Sequence, residues 1–510
     1  MIGMPDSPPH SILWSLSILA VVVHLASSAT GGYGIFRDEL YYIACANHPD
    51  IGYVDHPPLS IWLLAAWKFL FGDSLFSIRF LPAVCSGATA YIAGVLAIGF
   101  GGGRYAAFLA CLTSIFAPIL LAFFGIFSMN AFDLPLWGCA FVVLRRIAET
   151  REAKWWYRLG LIIGLGALNK ISMIWLGAGI FIGTLLTSHR ASLRSMPPWI
   201  AGVLAALVFL PFVIWNLTHD LAHLEFIRNA SAEKYASQNP ATFLAGLLML
   251  MNPLAAPVWL AGFWFLTANR EHRIAGFAAL TVLAILILNV HSKPEYFAAA
   301  MTVLLPAGSV QVERWLRGKF VRWARIPYVV LVTAFGVLLT PFTVPILPVD
   351  SYIGYQAALG QTPVSNEGLR LSALPQHYAD CFGWKEMAGV VAGVYSSLPD
   401  SEKQRCLIYG RNYGEAGSVD YFGREAGLPP AISQHNSYWY WSLEHLDQDV
   451  TIIVIGVSKE ELLDDFGYVR EAGIIQSGYA MPYERDLPVT ICRKLRRPFI
   501  DIWNGRRVFI

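Results

Sequence analysis

About eleven separate stretches of this 510-residue chain are apolar enough, and long enough, to approach the thickness of a lipid bilayer. They run over residues 12–29, 79–99, 105–124, 131–147, 159–171, 173–187, 198–216, 241–267, 274–290, 296–311 and 327–345. A backbone crossing hydrocarbon must satisfy its own amides and carbonyls, so such segments can only be helices. With 55% apolar and 14% charged residues, an ordinary soluble globule is excluded. A net charge of +2 gives no electrostatic case for a nucleic-acid partner. The seven cysteines show no CxxC or Cys/His spacing, so neither a disulfide framework nor a metal site is indicated. No Lys or Arg precedes 12–29, and the segment reads as a retained span rather than a cleaved signal.

The loops between these segments alternate in charge. Arg104 lies in one junction, and Arg145, Arg146, Arg151, Lys154 and Arg158 lie two junctions later. The pattern continues with Arg190 and Arg194, then Arg270 and Arg273, then Arg314, Arg317, Lys319, Arg322 and Arg325. The positive-inside rule assigns these loops and the N-terminus to the cytoplasm. Residues 57–71 are apolar but short and carry Lys68, and counting them as a span would reverse that parity. They read as a helix lying on the membrane surface within one long outer loop from about 30 to 78. The fold class expected for 1–345 is therefore an α-helical polytopic membrane domain. From 346 the charges and glycines become frequent. Strands at 406–409 and 451–456, with helices at 413–426 and 458–466, predict an extracytoplasmic α/β domain over 346–510.

On this topology the unusual polar residues collect on the outer side. Arg37, Asp38 and Glu39 follow the first span, where charge costs about 2.5–3.5 kcal/mol per residue at a helix centre and less at the interface. Asp55 and His56 open the surface helix, and Arg79 begins the second span. Asp133 and Lys170 sit in tight outer turns, His219, His223 and Arg228 follow the seventh span, and Lys293 and Tyr296 share one turn. A carboxylate can accept or orient a hydroxyl proton as the oxygen attacks an activated carbon. Cations can hold a phosphate leaving group. A membrane-anchored glycosyl phosphate needs both, which makes Asp38, Glu39 and Asp133 the candidate catalytic residues. His56, Arg79, Lys170, Arg228, Lys293 and Tyr296 are the candidates for holding the donor phosphate. Simpler roles stay open: neighbouring helical carboxylates diverge by about 100°, Asp133 suits a helix N-cap, and Lys170 can snorkel.

Arg37-Asp-Glu39, His56-Pro-Pro-Leu59 and Phe76-Ser-Ile-Arg79 together resemble the protein O-mannosyltransferase family and its bacterial relatives, which include the aminoarabinose transferases of lipid A. Asn130-Ala-Phe-Asp133, Gly166-Ala-Leu-Asn-Lys170 and Lys293-Pro-Glu-Tyr-Phe297 extend the likeness, which covers about residues 10–345. Residues 412–417 and 434–439 resemble the tail domain of bacterial members. The resemblance implies a C-type glycosyltransferase fold in a bacterial inner membrane. It implies inverting transfer of a sugar from a polyprenyl-phosphate donor to a lipid, protein or glycan acceptor on the extracytoplasmic face. It makes Asp38 the catalytic carboxylate, with Glu39 as its neighbour. His56 stands where the aminoarabinose transferases carry a phosphate-contacting Lys, which shifts that role towards Arg79, Arg228 and Lys293. No cofactor is expected. The related oligosaccharyltransferases use a divalent metal, so Asp38 with Asp133 could bind one. Two other functions fit the composition: a secondary transporter, whose charges would lie near the bilayer midplane, and a non-catalytic scaffold with an outer binding domain.

Overall fold

A computed structural model describes residues 10–234, 237–363, 370–445 and 450–510. The stretch before His10, which the charge parity leads us to expect on the cytoplasmic side, lies outside the described residues. All eleven apolar segments become helices or bent helix pairs. In chain order the helices are α1 (His10–Thr30), α2 (Arg37–Asn47), α3 (Leu59–Phe71), α4 (Leu75–Gly99), α5 (Arg104–Ile115) and α6 (Pro118–Gly125). There follow α7 (Met129–Thr150), α8 (Ala153–Asn169), α9 (Ser172–Leu185), α10 (Pro197–Thr218) and α11 (Ala222–Asn229). The series continues with α12 (Pro240–Leu250), α13 (Ala256–Ala268), α14 (Arg273–Leu288), α15 (Ala298–Trp315) and α16 (Arg325–Leu339).

Four described helices are long and apolar enough to cross a membrane singly, and counting each bent pair as one span raises the number to seven. Local chemistry explains the bends. Ala117 is extended because it precedes Pro118, and α5 and α6 meet at 59°. Asn252 takes a left-handed φ of 62° just before Pro253, where the chain turns through 97° between α12 and the helical run that includes α13. The 241–267 segment is therefore not one straight span. Helix α3, with 13 residues, rises roughly 20 Å, too little to cross. Its end exposes Phe69, Leu70 and Phe71, as a helix resting in the membrane surface requires.

Small residues let the helices meet backbone to backbone, because helix association in lipid relies on close packing rather than hydrophobic exclusion. A Cβ on Gly308 of α15 would lie 1.7 Å from the Val258 carbonyl oxygen of α13. Gly160 and Gly164 of α8 fit against Ala201 and Ala205 of α10 in the same manner.

The C-terminal region carries a five-stranded mixed sheet in the order β2-β1-β3-β5-β4. Its strands are β1 (Cys406–Tyr409), β2 (Ala431–Ile432), β3 (Thr451–Ile455), β4 (Phe466–Ile475) and β5 (Leu487–Leu495). β1 runs parallel to β2 and β3, while β5 is antiparallel to β3 and β4. β3 is buried at every position, as befits its continuous apolar run at the sheet centre. The helix Tyr413–Phe422 crosses from β1 to β2 and lies on α2. A Cβ on Gly414 would meet Cγ of Arg37 at 2.8 Å, and one on Gly417 would meet Cβ of Leu40 at 3.0 Å. The two glycines thus seat the C-terminal domain directly on α2, in the loop after α1. Around this contact Arg424 pairs with Asp73 at 2.9 Å and Arg507 with Glu225 at 2.6 Å.

Candidate active site

Helix α2 starts at Arg37 because Phe36 is extended and Glu39, at the third helical position, accepts the Phe36 amide at 2.9 Å. The helical twist then sends the two carboxylates apart. Glu39 turns inward and is fully buried. Its Oε1 accepts Arg79 Nε at 2.9 Å and the Phe127 amide at 2.8 Å, and Arg79 Nη2 donates to Oε2 at 2.7 Å. Four donors saturate a carboxylate's ordinary accepting directions. Arg79 spends its remaining reach on the Gly34 carbonyl at 3.1 Å. Glu39 and Arg79, the candidates for catalysis and for holding the phosphate, are here each other's buried partner, and together they lock α2 to α4 and to the turn before α7.

Asp38 faces the other way and is half-buried. Its Oδ1 accepts the phenol of Tyr413, from the C-terminal domain, at 2.7 Å. A second carboxylate sits nearby with the same arrangement. Asp55 Oδ1 accepts the phenol of Tyr41 at 2.9 Å, and the Tyr41 and Tyr413 rings lie 4.8 Å apart. Burial, and then the Asp55 carboxylate, push the Tyr41 phenol well above its usual range; burial and Asp38 do the same to Tyr413. Both phenols stay protonated and remain donors. The sequence marks Asp55 only as the opening of the helix at 57–71 and marks neither tyrosine as a site residue. The adjacent His-Pro-Pro motif was the signal for Asp55; nothing local marked Tyr413.

His56 is fully buried and stacks on Tyr42 with ring centroids 4.9 Å apart and planes 5° apart. Its Nδ1 lies 3.1 Å from the Pro57 carbonyl, and its Nε2 lies 3.8 Å from Asp55 Oδ1. It supports the carboxylate loop. Tyr42 carries the polar band onward, accepting the Met129 amide at 3.2 Å at the start of α7. One residue further, Asn130 accepts Lys170 Nζ at 2.6 Å, and the same ammonium lies 5.3 Å from the ring centre of Tyr296. Asp133, also on α7, is buried; Ser172 Oγ donates to its Oδ2 at 3.0 Å, while Oδ1 has no hydrogen-bond partner among the described residues. Lys293 is half-buried just before the turn Pro294–Phe297 that carries Tyr296. The structure thus joins Asp38, Asp55, His56, Lys170 and Tyr296 through a single band, with Asp133 and Lys293 beside it. Arg228 is not part of this band. It is exposed on α11 and makes no ion pair with a described residue.

Among the described residues, no group of three or more His, Cys, Asp or Glu side chains is placed to hold a metal ion.

Residues 55–215 match the family of dolichyl-phosphate-mannose-protein mannosyltransferases. The match begins at Asp55 and so includes His56, Asp133 and Lys170 but not α2. The chain is 24% identical, over 412 residues, to the lipid A galacturonosyltransferase RgtD of Rhizobium johnstonii, covering 78% of this chain and 84% of that protein. It is 23% identical to an undecaprenyl phosphate-alpha-4-amino-4-deoxy-L-arabinose arabinosyl transferase of Pseudomonas fluorescens, covering 60% and 61%. Its fold is that of ArnT from Cupriavidus metallidurans, solved bound to undecaprenyl phosphate. The TM-score is 0.62 at 12% identity, over 94% of this chain and 97% of that one. The Archaeoglobus fulgidus oligosaccharyltransferase, solved tethered to an acceptor peptide, also aligns, with a TM-score of 0.50 at 13% identity over 88% and 69%.

Proposed function

We propose that this protein is an integral glycosyltransferase of the bacterial inner membrane that moves a sugar from a polyprenyl-phosphate donor to an envelope acceptor. The observation that carries the reading is the coincidence of the ArnT fold with a carboxylate, Asp38, on the loop after the first helix, capped by a phenol at 2.7 Å. In the reaction the acceptor hydroxyl attacks the anomeric carbon from the face opposite the phosphate. Asp38 orients that hydroxyl and accepts its proton. Asp55 supports this charge from the same surface. Lys170, with Lys293 and Tyr296, grips the donor phosphate equally before and during its departure, and Asp133 fixes the charge balance around Lys170. The configuration at carbon inverts. No metal is needed, because ammonium groups supply the positive charge.

Eleven spans, a cytoplasmic N-terminus and an outer C-terminal domain complete this reading, supported by the alternation of basic loops. The acceptor is a lipid such as lipid A, a protein or a glycan, in keeping with the relatives' printed names, which include a lipid A transferase and a protein mannosyltransferase family. Mass spectrometry of envelope lipids and glycans from cells with and without the protein tests it. A sugar-sized mass that vanishes on deletion and returns with the wild-type protein is the expected result. Unchanged glycans, together with solute flux through sealed vesicles carrying the protein, would favour a transporter.

A further inference from the structure

The motif Asn412-Tyr-Gly-Glu-Ala-Gly417 lies about four hundred residues from the first outer loop in the sequence, yet its helix is built to touch Asp38. Asn412 caps that helix, accepting the Gly414 amide at 2.9 Å and the Glu415 amide at 3.1 Å through Oδ1. This fixes Tyr413 as its first residue. Gly414 and Gly417 remove the side chains that would hold the helix away from Arg37 and Leu40. Arg37 then lies over the Tyr413 ring, 4.8 Å from its centre, with Nη1 donating to the Tyr483 hydroxyl at 3.1 Å. The ring is held between the Arg37 cation and the rings of Tyr41 at 4.8 Å and His435 at 4.7 Å. Only the hydroxyl is left to act, and it points at Asp38.

Resting on the glycosyltransferase reading above, we infer that Tyr413 is a positioning residue for the reaction: the outer domain completes the catalytic carboxylate from above. The phenol occupies Oδ1, fixes the side-chain rotamer and leaves Oδ2 as the oxygen that can meet an acceptor hydroxyl. The outer domain is then part of the active site as well as a cover. An undocked outer domain would leave Asp38 free to rotate and the site out of register.

The test uses the full-length protein in proteoliposomes. The probes are undecaprenyl phosphates carrying mannose, galacturonic acid or 4-amino-4-deoxy-arabinose, with an envelope extract as acceptor. The readout is released undecaprenyl phosphate, normalised to folded protein by gel filtration. Tyr413→Phe keeps the ring and its contact with Arg37 and removes only the O–H. It should lower kcat by about tenfold to hundredfold, the value of a lost hydrogen bond to a charged group, with donor KM unchanged. Tyr421→Phe, at the same domain contact but bonded only to the Asp73 carbonyl, should match wild type. If Tyr413→Phe does not fold, Gly417→Ala poses the same question by lifting the helix from Leu40, and it should again lower kcat without moving KM. Wild-type kcat in whichever of the two variants folds would overturn the inference alone. Equal losses in Tyr421→Phe would overturn it too, since any loosening of the contact would then suffice. A wild-type protein that releases nothing from any donor, or an Asp38→Asn variant as active as wild type, would take down the glycosyltransferase reading itself.

Discussion

Under the C-terminal domain, Asp38 receives a phenol from Tyr413 and Asp55 receives one from Tyr41; within the helical region, Asp133 receives one hydroxyl from Ser172 and its other oxygen has no hydrogen-bond partner among the described residues. The first cluster is assembled from two domains that meet at α2. The second is assembled from α7, the start of α9 and Lys170 between α8 and α9, all within the helical region. The difference divides the labour. A carboxylate whose rotamer depends on docking can be switched between competent and idle arrangements. A carboxylate and ammonium held by packed helices keep a fixed field, which suits gripping a phosphate. Changes at the domain contact should therefore alter turnover, and changes in the helical cluster should alter donor affinity.

The strongest way to break this contrast is to remove what both clusters share. Glu39 and Arg79 tie α2 to α4 and to the turn leading into α7, so Arg79→Met leaves a buried carboxylate unpaired at a cost of about 3–5 kcal/mol. The expected outcome is a large fall in melting temperature and in yield from detergent, rather than a selective change in KM; a stable variant with only a raised donor KM would restore Arg79 as a phosphate ligand. Next in size is Lys170→Met, which should raise donor KM about tenfold while leaving kcat close to wild type. A change in kcat alone would move Lys170 into the chemistry and erase the contrast.

A smaller effect comes from His223, which sits behind the carboxylate loop with Nδ1 2.9 Å from the Val54 carbonyl. Burial lowers its pKa from the free side chain's 6.5, against opposing pulls from that carbonyl and Asp55. Its neutral form therefore favours the folded state. That contribution is intact above pH 6.5 and is lost as the pH falls through this value towards the lowered one. Thermal unfolding between pH 7.5 and 5 should show the loss, and His223→Gln should flatten the slope. Smallest of all is chelation: EDTA should leave turnover unchanged. A loss restored by a divalent cation would give Asp38 and Asp55 a metal to hold.

Much of the fold was legible in the sequence because burial in lipid leaves long apolar runs. Each of the eleven segments is helical, and the short helix at Leu59–Phe71 was recognisable from its apolar run. In the outer domain β1 and β3 were readable as short apolar runs. β4 and β5 were missed: β4 is an edge strand with several exposed positions, including Arg470 and Glu471, and reads as loop. Of the candidate site, the divergence of Asp38 from Glu39 followed from helical geometry alone. The pairing of Glu39 with Arg79 spans 40 residues and that of Tyr413 with Asp38 spans 375, distances over which no local pattern carries information. Gly414 and Gly417 were visible as letters, but their meaning required the helix they face.

The central claim is that chemistry belongs to Asp38 and not to the carboxylate inside the helical cluster. Release of undecaprenyl phosphate from sugar-loaded donor by purified wild type, Asp38→Asn and Asp133→Asn in proteoliposomes tests it most directly. The account predicts that Asp38→Asn loses about 10²–10⁴-fold in kcat, the contribution of a positioned base, while Asp133→Asn retains most of its turnover with a weaker donor KM. Undiminished turnover in Asp38→Asn, with turnover abolished in Asp133→Asn, would contradict it.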